Sequence, residues 1–463
     1  MGKVMERVDA LPDDGIRPIP PERRVLGALD VAILWGDLGI GVLVLVTGAL
    51  LVPALGFATA MLAILIGSAV GCLLLAMGAR AGARHGVPTM VLFRPVLGIR
   101  GSYAPSILNA LQLIGWTAVE LWAMSLIADL VAERIFGFSA RPLWLGVAAV
   151  LCVALALWGP VDVVRVWMKR FGAWVIAGIC ALVTILLLTS GGLADAISAP
   201  GTGGFPTFGA ALDLVIAMPI SWLPLVADYT RFSRGSADAF AGTFFGYLVA
   251  NIWLYALGAL LVLSQGATPD PAGIAAGILA LAGGSLAGIL FLLGLLVGET
   301  DEAFADIYSG AVSLQNMWPS VPARRLTVLI AIVATGLAAW LNMARYEAFL
   351  FLLGSVFVPL FGILIADHFV NRRGSLEIGA LYDDGGKYSG IRLRAVLPWV
   401  VGFVVYHWAQ PTGPTWWIEM VGELPGAPLA GTATWLPASL LSFIAAFLLA
   451  LDYPSGDPTR RGD

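Results

Sequence analysis

Long, continuous apolar runs constrain the fold of this chain more than any other feature. The runs Ala58–Met77, Leu143–Trp158, Phe171–Leu188 and Phe349–Ala366 each approach the length that a helix needs to cross a bilayer. Only 12% of the residues are charged and 59% are hydrophobic, whereas soluble domains carry about 25% charged residues. The bilayer core cannot pair with backbone groups, so such segments must cross it as helices or as a closed barrel. Barrel strands would alternate apolar and polar residues, so the runs predict an all-α polytopic membrane protein.

Twelve spans are predicted along one transmembrane domain at residues 25–452. They cover about 28–52, 57–79, 102–131, 142–159, 171–189, 213–228, 238–263, 284–316, 325–341, 345–370, 394–410 and 433–452. Residues 1–24 are polar and lack the apolar core of a signal peptide, which indicates a cytoplasmic tail. A second cytoplasmic tail is predicted at 453–463. The connection from Pro269 to Gly283 is interpreted as extracellular, with a short surface helix.

The distribution of Lys and Arg predicts the orientation, since basic residues stay on the cytoplasmic side. With the N-terminus inside, only Arg134, Arg141 and Arg345 lie in outside segments. The cytoplasmic set includes Arg80, Arg84, Arg94, Arg100, Arg165, Lys169, Arg170, Arg372, Arg373, Lys387, Arg392 and Arg394. This asymmetry favours an even number of spans, both termini inside, and a location in the plasma or inner membrane.

Other features argue against enzymatic and nucleic-acid-binding functions. The net charge is −4, and neither end of the chain carries a run of like charges. Cys72, Cys152 and Cys180 fall in apolar runs and are interpreted as packing residues. The three histidines lack metal-ligand spacing, and only His407 is expected inside the membrane, in a packed, hydrogen-bonded role. No catalytic residue, cofactor or resident metal is therefore predicted.

Carboxylates inside the predicted spans are the first sign of a functional site. A charged group at the bilayer centre costs about 2.5 to 3.5 kcal/mol on insertion scales, so it needs a partner or a task. Asp37 lies in span one and Glu120 in span three. Span eight carries Glu299, Asp301, Glu302 and Asp306. The alternative is that this acidic stretch is a solvated cytoplasmic loop.

Interruptions and aromatic residues in the spans indicate where a solute binds. Glycines 36, 39 and 41 and the stretch Met218–Pro224 interrupt spans one and six at corresponding places. Paired interruptions are typical of a transporter's midplane site, although helix packing and a simple kink are the alternatives. Trp116 and Trp222 are candidates to sandwich a planar ring. Interfacial anchoring is the alternative, but Trp116 lies deep within its span.

Several motifs resemble one transporter family along nearly the whole chain. They are Gly98–Ser106 leading into Leu113–Val119, and Ala227–Phe232 after span six. On these residues the chain resembles the nucleobase:cation symporter-1 family, the purine, cytosine, allantoin and hydantoin permeases. The stretches Leu108–Val119, Met218–Leu225 and Gly354–Gly362 look most like the hydroxymethylpyrimidine (thiamine precursor) transporters of that family.

The resemblance implies a fold and a set of site residues. It implies a five-plus-five inverted repeat, with repeat one at about 28–189, repeat two at about 213–370, and two extra helices at about 394–452. It also implies a substrate site and a cation site. The implied substrate residues are Gln112, Trp116, Glu120, Pro219, Trp222 and Asp306. The family has an aromatic residue at the position of Pro219, and here that role passes either to Trp222 or to no residue. The implied cation residues are Leu38, Gly41, Val297, Thr300 and Asp301, where Asp301 either binds sodium or carries a proton.

The predicted function is secondary active import of a planar, nucleobase-like heterocycle by cation symport with alternating access. The substrate is expected to be hydroxymethylpyrimidine or cytosine, with a purine, allantoin or hydantoin as the alternative within the family. A membrane receptor, an intramembrane enzyme and a channel are the alternatives from other classes. The expected partners are the heterocycle, a sodium ion or proton, and the lipid bilayer.

Overall fold

The computed structural model describes residues 15–163, 168–169, 172–283, 286–341, 346–429 and 433–451. Its longer helices, together with the short α8, are labelled in chain order. They are α1 (Ala28–Asp37), α2 (Val42–Ala49), α3 (Phe57–His85), α4 (Tyr103–Phe136), α5 (Arg141–Trp158), α6 (Ala173–Thr189), α7 (Phe208–Trp222), α8 (Val226–Thr230), α9 (Ser236–Gln265), α10 (Pro271–Leu281), α11 (Leu286–Gln315), α12 (Ala323–Ala338), α13 (Tyr346–Ile365), α14 (Leu393–Ala409) and α15 (Ala438–Ala450).

Further helical turns connect these elements. They are Pro21–Arg23, Thr89–Leu92, Arg94–Leu97, Pro160–Asp162, Leu193–Ser198, Leu223–Leu225, Ala366–Asn371, Gly379–Tyr382 and Thr415–Gly422. The loop residues Arg165, Arg170 and Arg345 and the predicted tail at residues 453–463 lie outside the described residues.

The helices follow the predicted spans, with ends that differ by a few residues. Among the described residues, six helices are long and apolar enough to cross a membrane, and the bent pair α1 and α2 is a seventh candidate. α6, α14 and α15 are apolar but shorter. The multi-pass membrane architecture is therefore confirmed, while the total of twelve and the inverted repeat stay predictions.

The helices pack in two groups with a third set on one side. In the first group, α9 packs against α1, α2 and α3, and α7 packs against α3. In the second group, α4 contacts α5, α11 and α12. α13 joins the first group through α7 and carries α14 and α15. The first group corresponds to predicted spans one, two, six and seven.

The first span is broken where its glycines predicted an interruption. α1 ends at Asp37, α2 begins at Val42, and their axes differ by 63°. Glycine is a poor helix former, and at Gly41 a Cβ would collide with the carboxylate oxygens of Glu302 and Glu299. The chain therefore passes α11 closely only because this position has no side chain.

The sixth span is interrupted less strongly. α7 continues through Pro219 to Trp222 and is followed by a 3-10 turn at Leu223–Leu225 before α8. The stretch Phe208–Thr230 still counts as one apolar crossing. The predicted interruption thus lies at the C-terminal end of the predicted stretch, beside Pro224, and Pro219 does not end the helix.

Two expectations about polar segments are resolved by the fold. α11 is one continuous helix in which Glu299, Asp301, Glu302 and Asp306 are all buried, so the alternative of a solvated loop is wrong. The predicted surface helix between Pro269 and Gly283 exists as α10. Its Ile274, Ala275 and Ile278 are buried, so α10 packs into the protein rather than lying on its surface.

Candidate functional site

A small cavity lies between the two helix groups, where α4, α7 and α11 meet. Its volume is about 10 Å³, which is room for about one water molecule. Its lining residues are Trp116, Glu120, Met218, Ser221, Trp222, Glu302 and Asp306. Four of the six predicted substrate residues therefore share one cavity. A heterocycle requires this space to enlarge.

Helix periodicity brings the lining side chains together. Trp116 and Glu120 are four residues apart on α4, and Glu302 and Asp306 are four residues apart on α11, so each pair shares one helix face. α4 and α11 pack directly against each other. Their two acidic faces consequently meet.

The Glu120 and Asp306 carboxyl groups lie side by side across this contact. The second carboxylate oxygen of Glu120 is buried and has no hydrogen-bond partner among the described residues. The pair therefore retains acceptor capacity that faces the cavity.

Aromatic rings border the cavity on both sides. The Trp116 ring lies 5.2 Å from Phe349 and 6.1 Å from Tyr346 between centroids. The Trp222 ring lies 5.9 Å from Trp35. The three rings that contact the two lining indoles all belong to buried or half-buried side chains. The indoles are thus held by other rings, as a stacking platform requires.

A buried polar network supports the cavity from the side of α4. The Gln112 amide donates to Asn109 Oδ1 at 2.8 Å and to the Ser221 carbonyl at 2.9 Å. Asn109 Nδ2 donates to Ser313 Oγ at 2.7 Å. Gln112 therefore ties α4 to the backbone of α7 beside the cavity, and it is not among the lining residues.

The break in span one is joined to α11 by carboxylates. Val42 N–H donates to Glu299 Oε1 at 2.6 Å, which gives a backbone donor at the start of α2 a charged acceptor. Asp37, at the end of α1, lies beside Asp301. Gly41 lies against Glu302. The unwound segment and the acids of α11 thus form one continuous polar region next to the cavity.

Besides Gln112, three predicted site residues lie elsewhere than expected. The Pro219 ring packs against Gly71 of α3, so Pro219 faces the neighbouring helix and does not reach the cavity. Val297 and Thr300 are half-buried, and the Thr300 hydroxyl donates to the Leu296 carbonyl of its own helix at 2.7 Å. The groups of α11 that contact the break are instead those of Gly298, Glu299 and Glu302.

Sequence reasoning left several lining residues out of the candidate set. Met218 and Ser221 line the cavity with Trp222, and all three fall in the stretch that the interruption pattern had marked. Tyr346 had no signal, but its hydroxyl lies 3.3 Å from Thr47 Oγ1 of α2. Helical spacing could have found Ser221 and Met218, whereas the approach of Tyr346 depends on how α13 packs.

The remaining polar candidates show no metal site. Within the described part of the chain, no group of three or more His, Cys, Asp or Glu has the arrangement of a metal site. Cys72, Cys152 and Cys180 are buried free thiols. The His407 Nδ1 accepts a hydrogen bond from Trp417 Nε1 at 3.0 Å, as expected for a packed histidine.

A larger cavity of about 320 Å³ lies away from the predicted residues. Its polar lining consists of Asp367, Asn371, Arg372, Arg392 and Arg394. Arg372 is already engaged with Asp367 at 2.6 Å. The small cavity is the better candidate for the functional site because the indoles and acceptor groups that a heterocycle requires converge there.

Comparisons with known proteins agree on one family and one fold. The family model described as "Permease for cytosine/purines, uracil, thiamine, allantoin" matches residues 18–435. The chain is 25% identical to the hydantoin permease of Microbacterium maritypicum over 87% of this chain and 85% of that protein. It is 24% identical to the cytosine permease of Escherichia coli over 78% of this chain and 81% of that protein.

A solved structure of a transporter shows the same fold. Mhp1, a nucleobase-cation-symport-1 family transporter, in a closed conformation with bromovinylhydantoin bound, matches with a TM-score of 0.81. The match covers 96% of this chain and 95% of that chain at 22% sequence identity. At this identity the likeness establishes the overall helix arrangement.

Proposed function

We propose a function from one premise: the chain belongs to the family of permeases for cytosine and purines, uracil, thiamine and allantoin. The family resemblance found in the sequence is confirmed. So is the expectation that the protein transports a solute rather than catalysing a reaction, because this is a family of permeases. The solute, the coupling ion and the direction are the subject of the proposal.

The chain is proposed to import a planar nitrogen heterocycle of the nucleobase type by cation symport. Hydroxymethylpyrimidine and cytosine are the first candidates, on the motifs of α4, α7 and α13. A purine, allantoin or hydantoin is the second candidate, since relatives named for hydantoin and allantoin match this chain at the same level of identity as the cytosine permease. The convergence of Trp116, Glu120, Trp222 and Asp306 on one buried cavity is the observation that carries the proposal.

In the proposed mechanism, the ring stacks on Trp116 while its N–H groups donate to Glu120 and Asp306. A hydrogen bond to a charged acceptor contributes about 1.5–3 kcal/mol, and a stacked aromatic contact about 0.5–1.5 kcal/mol. The cavity must widen to admit the ring. The wall proposed to move is α7, which carries Met218, Ser221 and Trp222 at the cavity and belongs to the first helix group.

The coupling cation is proposed to bind between the break in span one and α11. The backbone at Leu38 and Gly41 and the carboxylate of Asp301 are the proposed ligands, and Glu299 and Glu302 lie beside them. Coupling between ion and solute of about 1–3 kcal/mol would then bias rocking of the first helix group against the second. Both termini are proposed to be cytoplasmic, on the distribution of Lys and Arg.

The stacking role is tested with Trp116→Ala. Uptake of radiolabelled cytosine and hydroxymethylpyrimidine into proteoliposomes should fall at least about tenfold. The ring loses its stacking partner, and it is then held less precisely against Glu120 and Asp306. The amount of reconstituted protein is measured in the same vesicles. Accumulation against a gradient, driven separately by sodium and by protons, identifies the coupling ion.

Trp174→Ala is the matched control. Trp174 lies on α6 and is 65% exposed, so its removal should leave uptake unchanged. Uptake by Trp116→Ala at the wild-type rate would contradict the proposed function.

A further inference from the structure

Three carboxylates line the small cavity, and none has a basic partner. They are Glu120, Glu302 and Asp306, and we refer to them as the acidic face. Their exposed fractions are 1%, 3% and 2%. Glu120 and Asp306 contact each other, while Glu302 lies beside Gly41. Within the described part of the chain, no Lys, Arg or His forms an ion pair or hydrogen bond with any of the three.

Buried carboxylates farther from the cavity do have partners. Asp213 accepts from the backbone N–H groups of Ala438 and Ser439 at 2.7 and 2.8 Å. Asp367 pairs with Arg372 at 2.6 Å. Asp228 accepts from Thr89 N–H at 3.0 Å and has Arg231 nearby. Buried oxygens of Asp37 and Glu299, at the adjoining break in span one, also have no hydrogen-bond partner among the described residues. Such oxygens are therefore concentrated around the cavity and the break, and a buried charge without a partner is costly.

Unpartnered polar atoms at the cavity indicate that a ligand completes it. One carboxylate oxygen of Glu120, Oε1 of Glu302 and the indole N–H of Trp116 are all buried without a hydrogen-bond partner among the described residues. Glu302 contacts the same space, so three acidic side chains meet there without a basic group. The unpartnered carboxyl oxygens require hydrogen-bond donors, and a positively charged donor group satisfies them best.

We infer that the transported solute is a cation, a planar heterocycle or arene whose positive charge is spread over neighbouring N–H groups, as in an amidinium or an aminopyridinium. This inference rests on the proposed function and names its substrate class. Two N–H groups on one edge match the two carboxyl groups of Glu120 and Asp306 and give short, charge-assisted hydrogen bonds. The face of such a cation also suits the indole of Trp116.

A neutral ring with an amide edge is a poorer match. Its carbonyl oxygen is an acceptor, and it would face carboxylates that are acceptors themselves. A pair of molecules with the same ring and shape, but opposite chemistry at one atom, therefore separates charge from size. Benzamidine and benzamide are such a pair, since the amidinium of the first replaces the amide of the second.

The experiment measures binding of both compounds to the purified full chain by calorimetry, with and without sodium. Benzamidine should bind at least about tenfold more tightly than benzamide, as expected for charge-assisted hydrogen bonds. The preference should shrink to about threefold or less in Glu302→Gln and Asp306→Asn, and persist in the charge-conserving Asp306→Glu. Glu133 is an exposed residue on α4, the helix of Glu120, and Glu133→Gln should keep the full preference.

The outcomes separate the two proposals. Equal binding of the two compounds, or tighter binding of benzamide, while neutral cytosine binds and is taken up, overturns the cationic substrate and leaves the proposed function standing. A preference for benzamidine that sodium abolishes also overturns it, because the acidic face then holds the ion. If no heterocycle or arene of either charge binds or competes for uptake, the proposed function itself fails.

Discussion

Glu120 combines two properties that rarely occur together: it is buried in a helix of a membrane protein, and one of its oxygens has no partner. Its neighbours explain why. Trp116, one turn earlier, lines the cavity on one side, and Asp306 from α11 lies beside Glu120 on the other. A carboxylate in this position has one fixed contact and one open one, which suits recognition of a ring edge.

Substituting Glu120 with glutamine should change which substrates are recognised. The glutamine keeps the shape but replaces one acceptor by an NH₂ donor, so rings that present a carbonyl should gain and rings that present only N–H groups should lose. The measurement is competition of cytosine uptake by a panel of nucleobases. A tenfold change in relative inhibition corresponds to about 1.4 kcal/mol.

Glu133→Gln is the control for this substitution. It removes a carboxylate from the exposed C-terminal part of α4, away from the cavity, and should leave the competition profile unchanged. An identical profile for Glu120→Gln would argue that Glu120 does not contact the ring.

At the scale of elements, the break between α1 and α2 depends on α11. The unwound segment brings Gly41 against Glu302, while Glu299 accepts the Val42 N–H. A glycine-rich sequence allows the interruption, but a stable break also needs acceptors for the freed backbone donors. α11 provides an acceptor from a face of buried acids.

Gly41→Ala should destabilise the protein by about 1–3 kcal/mol, as overpacking of a filled interior does. The backbone at Gly41 has φ −141°, which any residue adopts, so the cost comes from the space and not from the conformation. The added methyl group would displace the Glu299 and Glu302 carboxylates. Thermal unfolding of the purified protein and uptake should both decrease.

The control is Gly146→Ala on α5, where an added Cβ has nothing within 4 Å. There alanine should be neutral or stabilising by about 0.5–1 kcal/mol, because it is the better helix former. If Gly41→Ala behaved like Gly146→Ala, α11 would not approach the break as closely as described.

At the scale of the whole molecule, one end is closed by contacts that join distant parts of the chain. Arg231 is fully buried and donates to the Gly15 carbonyl at 2.6 Å and to the Tyr308 hydroxyl at 2.9 Å. The Tyr382 hydroxyl donates to the Ile16 carbonyl at 2.6 Å. The segment before α1 thus connects the first helix group to α11 and to the region after α13.

Arg231→Ala should lower the melting temperature by several degrees and reduce uptake. Removing a buried guanidinium leaves its buried acceptors without donors, which typically costs about 1–3 kcal/mol. Unfolding followed by tryptophan fluorescence provides the measurement.

Arg234→Ala is the matched control three residues later. Arg234 is exposed, and its guanidinium donates to the Val25 carbonyl at 3.0 Å, so the loss of this side chain should stay within about 0.5 kcal/mol. Equal melting temperatures for the two variants would mean that the closure at this end adds little to stability.

The apolar runs by themselves determined that the chain crosses the membrane as helices, because hydrocarbon accepts backbone only in that form. The spacing of Trp116 and Glu120, and of Glu302 and Asp306, determined which side chains share a helix face. Only the tertiary structure decided which faces meet. It turned Pro219 towards Gly71, brought Glu299 and Glu302 to the break, and brought the rings of His85 and His368 to a centroid separation of 5.2 Å. Periodicity is a property of one helix, whereas a contact between helices depends on the packing of both.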